Sequence, residues 1–198
     1  MDTTHAASRS TPVSWHHVRV GALLGVVAAV VMGVFAMIAS ATYHDTGFFT
    51  PLHHIASALI EPTAMMRSME AGMAGDTFAI SVGPALLGLA LHLATGAFWG
   101  AIFGLIVSTG WLRGVTGLVA GIVYGLAVMV VMAFLALPVI AAVFGGGEPI
   151  SDMPRLAGWG TFAIEHAIYG AVLGLWPLLG GSEVGQRRAA ETPGYEAR

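Results

Sequence analysis

Apolar residues gather along this chain into four long runs, separated by polar stretches rich in Gly and Pro. A helix needs about 20 apolar residues to cross the hydrocarbon of a bilayer. The runs cover roughly residues 20–41, 78–107, 115–144 and 159–179. The second contains Pro84 and His92 and the third contains Pro138. Both exceed the minimum length, so they are expected to tilt, to kink at their prolines or to project beyond the bilayer. The pattern predicts an all-α membrane protein with four transmembrane helices over residues 18–180. A cytoplasmic tail precedes it over 1–17, and a polar, disordered tail follows over 181–198.

Composition supports the membrane reading. Of the 198 residues 56% are hydrophobic and 10% charged, against about 25% charged in a soluble domain. The net charge of −3 argues against a nucleic-acid partner. Cysteine is absent, which removes disulfides, thiolate metal sites and thiol catalysis. Lysine is absent as well, so there is no Schiff base and no phosphate-loop clamp. Arg replaces Lys throughout, beside abundant Ala and Gly, which points to a GC-rich bacterial genome. The first run ends in Ala39-Ser40-Ala41, a sequence like a signal-peptide cleavage site. Its apolar stretch is too long for a signal peptide, however, and it is expected to stay in the fold.

The arginines predict a direction. Arg9 and Arg19 precede the first run, Arg113 lies in the tight turn between the second and third, and Arg187, Arg188 and Arg198 follow the fourth. The two remaining loops hold only Arg67 and Arg155. Basic residues stay on the cytoplasmic side, so both termini are expected there, in a bacterial inner membrane.

Small residues recur every fourth position. Gly21, Gly25, Ala29 and Gly33 do so in the first run, and Gly117, Gly121, Gly125 and Met129 in the third. His92, Gly96, Gly100 and Gly104 form such a series in the second, and His166, Gly170 and Gly174 in the fourth. The motif His-x-x-x-Gly-x-x-x-Gly therefore occurs twice, which suggests a tandem duplication of a two-helix hairpin. Both copies would cross the membrane twice in the same sense, related by an axis along the membrane normal. Residues four apart share a helix face, and small side chains there let backbones approach. These glycines are expected to be packing surface, and a ridge left free within the bundle could support a homodimer.

Ionisable groups within a membrane span are costly and often functional. His92, Glu165 and His166 are such groups and make a candidate polar intramembrane site. Several readings of them stay open. The imidazoles could be polar glue between helices, or the axial ligands of a haem b; two His alone are an incomplete zinc site. Glu165 and His166 could instead form a proton relay or a substrate-binding spot. Leu91 stands where Glu165 would be in the other half, an asymmetry expected of a site added to a symmetric scaffold.

The loop after the first run carries the best short helix, Thr50 to Ile60. Thr50 suits the N-cap and Pro51 the first turn. Leu52, Ile55, Ala56, Leu59 and Ile60 make an apolar stripe, with His53 and Ser57 opposite. This helix should lie on the outer surface or fold back over the bundle. Met65, Met66, Met69 and Met73 follow, the last three on one helical face. With His44, His53 and His54 nearby, thioethers are weak candidates for a copper site, beside the plainer reading of an interfacial helix burying its Met face.

The repeated His-x-x-x-Gly-x-x-x-Gly helices and the stretch Gly47-Phe48-Phe49-Thr50-Pro51-Leu52 resemble a loose group of small bacterial membrane proteins, some called YagU-like. The resemblance spans roughly residues 18–180. It implies a four-helix inner-membrane protein and transfers no catalytic residue. The expected function is a non-enzymatic polytopic membrane protein with a polar intramembrane site. The alternatives are a haem- or metal-binding protein and a small proton-coupled transporter or channel.

Overall fold

The computed structural model describes residues 15–109, 111–112 and 114–191, with side chains through Leu178. Arg9, Arg113 and Arg198, and the side chains of Arg187 and Arg188, lie outside the described residues. The described chain is helical and holds no strand. Its long elements are α1 (Trp15–Thr42), α4 (Val82–Ser108), α5 (Gly114–Val131), α6 (Leu137–Phe144) and α9 (Trp159–Glu191). The short ones are α2 (Thr50–Ala56), α3 (Thr63–Met73), α7 (Gly147–Ser151) and α8 (Met153–Leu156).

Three helices are long and apolar enough to cross a membrane: Trp15–Thr42, Val82–Ser108 and the continuous Gly114–Phe144. Large apolar side chains cover their outsides. On α1 alone Leu23, Val27, Val30, Val34 and Ile38 are exposed, a surface that suits lipid and not water. The other long helix, α9, carries Glu165 and His166 within its apolar half. Its backbone continues to Glu191, past the point where composition predicts a disordered tail. Helix-forming Glu, Gln, Arg and Ala residues in that stretch favour the continuation.

The two prolines, in spans expected to tilt, to kink or to project beyond the bilayer, behave differently from each other. Pro84 falls in the first turn of α4, where a missing N–H costs nothing. The helix accordingly starts at Val82 and not at Phe78. Pro138 does perturb its helix. A π-helical turn, Met132–Ala136, joins α5 to α6 just before it. The Leu137 N–H reaches back to the Met132 carbonyl, which accommodates the lost bond and marks a departure from regular helix.

The glycine ridges meet each other in pairs. A Cβ on Gly25 would collide with the Gly96 carbonyl oxygen, and one on Gly21 with that of Gly100. In the other half, a Cβ on Gly121 would strike the Gly170 carbonyl oxygen and one on Gly125 that of His166. Backbone thus lies against backbone along α1–α4 and along α5–α9. These ridges meet each other within the chain. Gly117 and Gly174 also face close neighbours, Pro177 and Leu118 respectively, while Gly104 meets the His17 carbonyl. Gly33 departs from the expected packing role: its nearest neighbour is the His92 ring, 3.1 Å from where a Cβ would sit.

Between the hairpins, α1 packs on α9, whereas α4 and α5 touch little. Tyr124 bridges that seam, donating a 2.6 Å hydrogen bond to the Trp99 carbonyl. Its ring packs on Phe103 with centroids 5.1 Å apart. Tyr169 likewise donates to the Gly96 carbonyl at 2.7 Å. One core of Ala28, Ala29, Phe103, Tyr169 and Leu173 fills the middle of the bundle. A second, of Ala133, Leu137, Ala141, Ile150 and Phe162, holds α6 and α7 against α9.

Candidate functional site

A cavity of about 640 Å³ opens between the hairpins, within the range of small-molecule sites. Its wall is mostly apolar, with Met32, Leu91, Val128, Met132, Leu137 and Ile140 among the lining residues. The π-helical turn and the loose α4–α5 seam border this space, whereas the glycine ridges close the α1–α4 and α5–α9 pairs. At one end the cavity is capped by α2, α3, α7 and α8. At the other it gives way to Phe103 and Leu173, each nearly solvent-free, and to the paired glycine backbones.

His92, Glu165 and His166 all line this cavity, so the candidate site residues are brought together from α4 and α9. The His92 Nε2–H donates to the Ala29 carbonyl on α1 at 2.9 Å, into the room that Gly33 leaves. The His166 Nδ1–H donates to the Phe162 carbonyl, one turn back on its own helix, at 2.8 Å. Phe162 also packs on the His166 ring, with centroids 4.4 Å apart. A carbonyl only accepts, so each contact fixes which nitrogen carries the proton of the neutral ring. His92 is left with Nδ1 as an acceptor and His166 with Nε2. Glu165 is 7% exposed, and among the described residues its carboxyl has no hydrogen-bond or ion-pair partner.

Two further lining residues were legible only as a stripe. Thr161, Glu165 and Tyr169 recur every fourth residue on α9, a polar line in an apolar helix. Thr161 meets the His44 Nε2 at 3.0 Å, which ties the end of α1 to the start of α9 beside the cavity mouth. His44, named from the sequence only as a neighbour of the methionines, is also on the wall, as is Trp99, which carries no periodic signal that would have singled it out.

Of the two placements expected of the Thr50–Ile60 segment, the structure shows the second: it folds back over the bundle, with its ends differing from the expected ones. Phe49, and not Thr50, precedes the first turn of α2, and the Thr50 hydroxyl instead donates to the Thr46 carbonyl. It also bonds Ser68 at 2.8 Å. The helix ends at Ala56, leaving Leu59 and Ile60 beyond it and exposed. The face expected to be polar and open is buried, with His53 at 1% and Ser57 at 2% exposure. The cause is that α2 folds into the bundle, its Leu52 carbonyl lying on Gly88, so both faces find protein.

The suggested copper ligands divide between the cavity wall and positions away from it. His54, Met66 and Met69 reach the cavity wall, whereas His53 and Met73 do not line it. His53 lies against the Ser81 backbone at 3.2 Å, and Met73 is 66% exposed. His54 donates from Nε2 to the Pro149 carbonyl at 2.6 Å. Among the described residues, no three His, Cys, Asp or Glu side chains could hold a metal together. Haem ligation by the His pair also fits poorly. The Nε2 of His92 is the nitrogen committed to Ala29, so axial ligation through it would require that interhelical bond to break.

His54 gives the cap a pH dependence. Burial holds its imidazole below the ordinary value of 6.5, opposed by its bond to Pro149. The His53 ring is lowered chiefly by burial too, with a smaller push from the Arg67 charge; its contact with Ser81 acts the other way. A released cap takes up protons near 6.5 while the docked cap stays neutral, so docking is fully stabilised above that pH and weakens below it. Amide exchange at residues 50–60 and 147–151 is therefore expected to accelerate as pH drops from 7.5 to 5.5, beyond the intrinsic trend. His54→Gln should flatten the response.

Comparison with known proteins finds no matching protein family, no similar curated protein and no similar solved structure.

Proposed function

We propose that this chain is a non-enzymatic protein of the bacterial cytoplasmic membrane that binds a small, largely apolar molecule inside its bundle. His92, Glu165 and His166 are the polar floor of that site. The observation that carries the reading is the cavity itself: an apolar wall of ligand size, ionisable groups at its base, and a far end closed by glycine backbones. A closed end favours binding over conduction. Residues this costly in a membrane are retained where they meet a ligand or a partner group.

In this reading α9 is the fourth span, with residues 159–179 in the bilayer and both termini in the cytoplasm. Its length, its packing along α5 and the arginine distribution support that. The cap then faces outward. The same glycine pairing in both halves supports the duplicated hairpin, as does the recurrence of His92 and His166 beside it. The copies have diverged in a way that makes the site. Gly33 lets His92 cross to α1, while Met129 stands at the corresponding place in α5, and His166 bonds its own helix. Such a four-helix architecture is what the resemblance to YagU-like proteins implies.

Photolabelling tests the binding site directly. Full-length protein in lipid nanodiscs is irradiated with a decanol carrying a diazirine, and labelled peptides are mapped. Label is expected on cavity residues such as Trp99, Met132 and Leu137, and Ala36→Trp, which fills the cavity, should remove it. Label confined to outward-facing Leu23, Val27 and Val34 would overturn the reading.

A further inference from the structure

The polar floor is unbalanced, and the imbalance defines a ligand class. Glu165 is 7% exposed and lines the cavity, and its carboxyl has no partner among the described residues. Both imidazoles beside it have given their donors to main-chain carbonyls, so in the neutral form they offer acceptors only. The Tyr169 hydroxyl has likewise donated to Gly96. Nearer the cap, Ser40 donates to the Gly47 carbonyl and Thr50 to that of Thr46. Thr95 and the Trp99 indole remain as donors on the wall. No Arg lines the cavity, and the chain has no Lys.

A site rich in acceptors, with one unpaired acid and neither Arg nor Lys, is completed by a group that brings hydrogens and positive charge. An anionic head would meet two imidazole lone pairs and, beside an ionised Glu165, a like charge; a neutral acceptor would leave the imidazole lone pairs unmatched. Trp99 and Tyr169 also line the cavity, and aromatic faces attract cations. The Met and Leu wall above them suits an alkyl or aryl body. We propose, extending the binding reading above, that the ligand is a cationic amphiphile whose protonated amine sits against Glu165 with its apolar part along the wall.

The test uses three competitors with one chain and three heads: decylamine, decanol and decanoate. Each is titrated against the diazirine–decanol photolabel on full-length protein in nanodiscs of neutral lipid. Decylamine is expected to displace the label at a concentration lower than decanol by about tenfold or more, the size of a charge-assisted hydrogen bond. Decanoate should be the weakest. Glu165→Gln should bring decylamine and decanol level, and thermal unfolding close to that of the wild type shows that the variant is folded. Glu165→Asp should keep part of the preference.

Equal competition by amine and alcohol, or a preference that survives in Glu165→Gln, would overturn the cation assignment and leave the cavity reading intact. A preference for decanoate would do the same. Absence of cavity label in the wild type would instead remove the binding reading on which the assignment rests. Should Glu165→Gln fail to fold, Glu165→Asp and the wild-type ranking still decide the question.

Discussion

Gly100→Val should prevent α1 and α4 from pairing, the largest single-residue effect expected in this protein. A Cβ at Gly100 would collide with the Gly21 carbonyl oxygen and stand 2.6 Å from the Gly25 Cα. Neither obstacle is a side chain that can rotate away, so the helices must separate along the whole ridge. Overpacking of adaptable cores costs about 1–3 kcal/mol, and a backbone collision belongs at or beyond the top of that range. In lipid the loss matters more, because close packing and not water exclusion holds the helices together. Gly121→Val should act alike in the other hairpin, where the Gly170 carbonyl and the Gly174 Cα stand in the way. The control is Gly83→Ala: nothing lies within 4 Å of a Cβ there, and such a site should shift stability by about 0.5 kcal/mol at most. Thermal unfolding of the detergent-purified variants measures all three. Wild-type melting of both Val variants would mean the ridges do not carry the packing.

The second large effect is local. Gly88→Val places a side chain on the Leu52 carbonyl, whose carbon is 2.7 Å from a Cβ at that position. It should detach α2 from α4 while leaving the ridges at Gly96, Gly100 and Gly104 alone. His54 would lose its registry with Pro149, and Thr50 its bond with Ser68. Amides of residues 50–60 are expected to exchange on the order of 100-fold faster, the equivalent of about 2.7 kcal/mol of lost docking. Protection along α1 and α4 should hold. Unchanged exchange over 50–60 would contradict a cap seated on Gly88. Because the cap roofs the cavity, this variant should also weaken retention of any ligand bound beneath it.

Much of this architecture was readable from residue spacing. The apolar runs marked the membrane-crossing helices, and glycine at every fourth position marked the faces that meet. Both signals are local: a helix converts a period of four into one face without reference to the rest of the chain. The candidate site was visible for the same reason, since His92, Glu165 and His166 are conspicuous in apolar surroundings. Long-range matters were not visible. Pro84 left open whether its span tilts, kinks or projects, and the structure places it in the first turn of α4. Gly33 looked like one more packing residue, yet its space belongs to a ring 59 positions away. His53 and Met73 seemed to join a ligand cluster, and the fold of α2 and α3 separates them.

Sequence alone therefore determined the helical membrane character, the three ionisable groups and the faces along which the hairpins zip, because each is a property of one helix at a time. The tertiary structure decided that α1 packs on α9 while α4 and α5 stand apart, that the π-helical turn before Pro138 borders the gap, and that α2 roofs it. It also decided which hydrogens the two imidazoles give to carbonyls and left Glu165 facing the cavity without a donor. Those outcomes depend on which backbone comes within three ångströms of which side chain, and no spacing along a single chain encodes that.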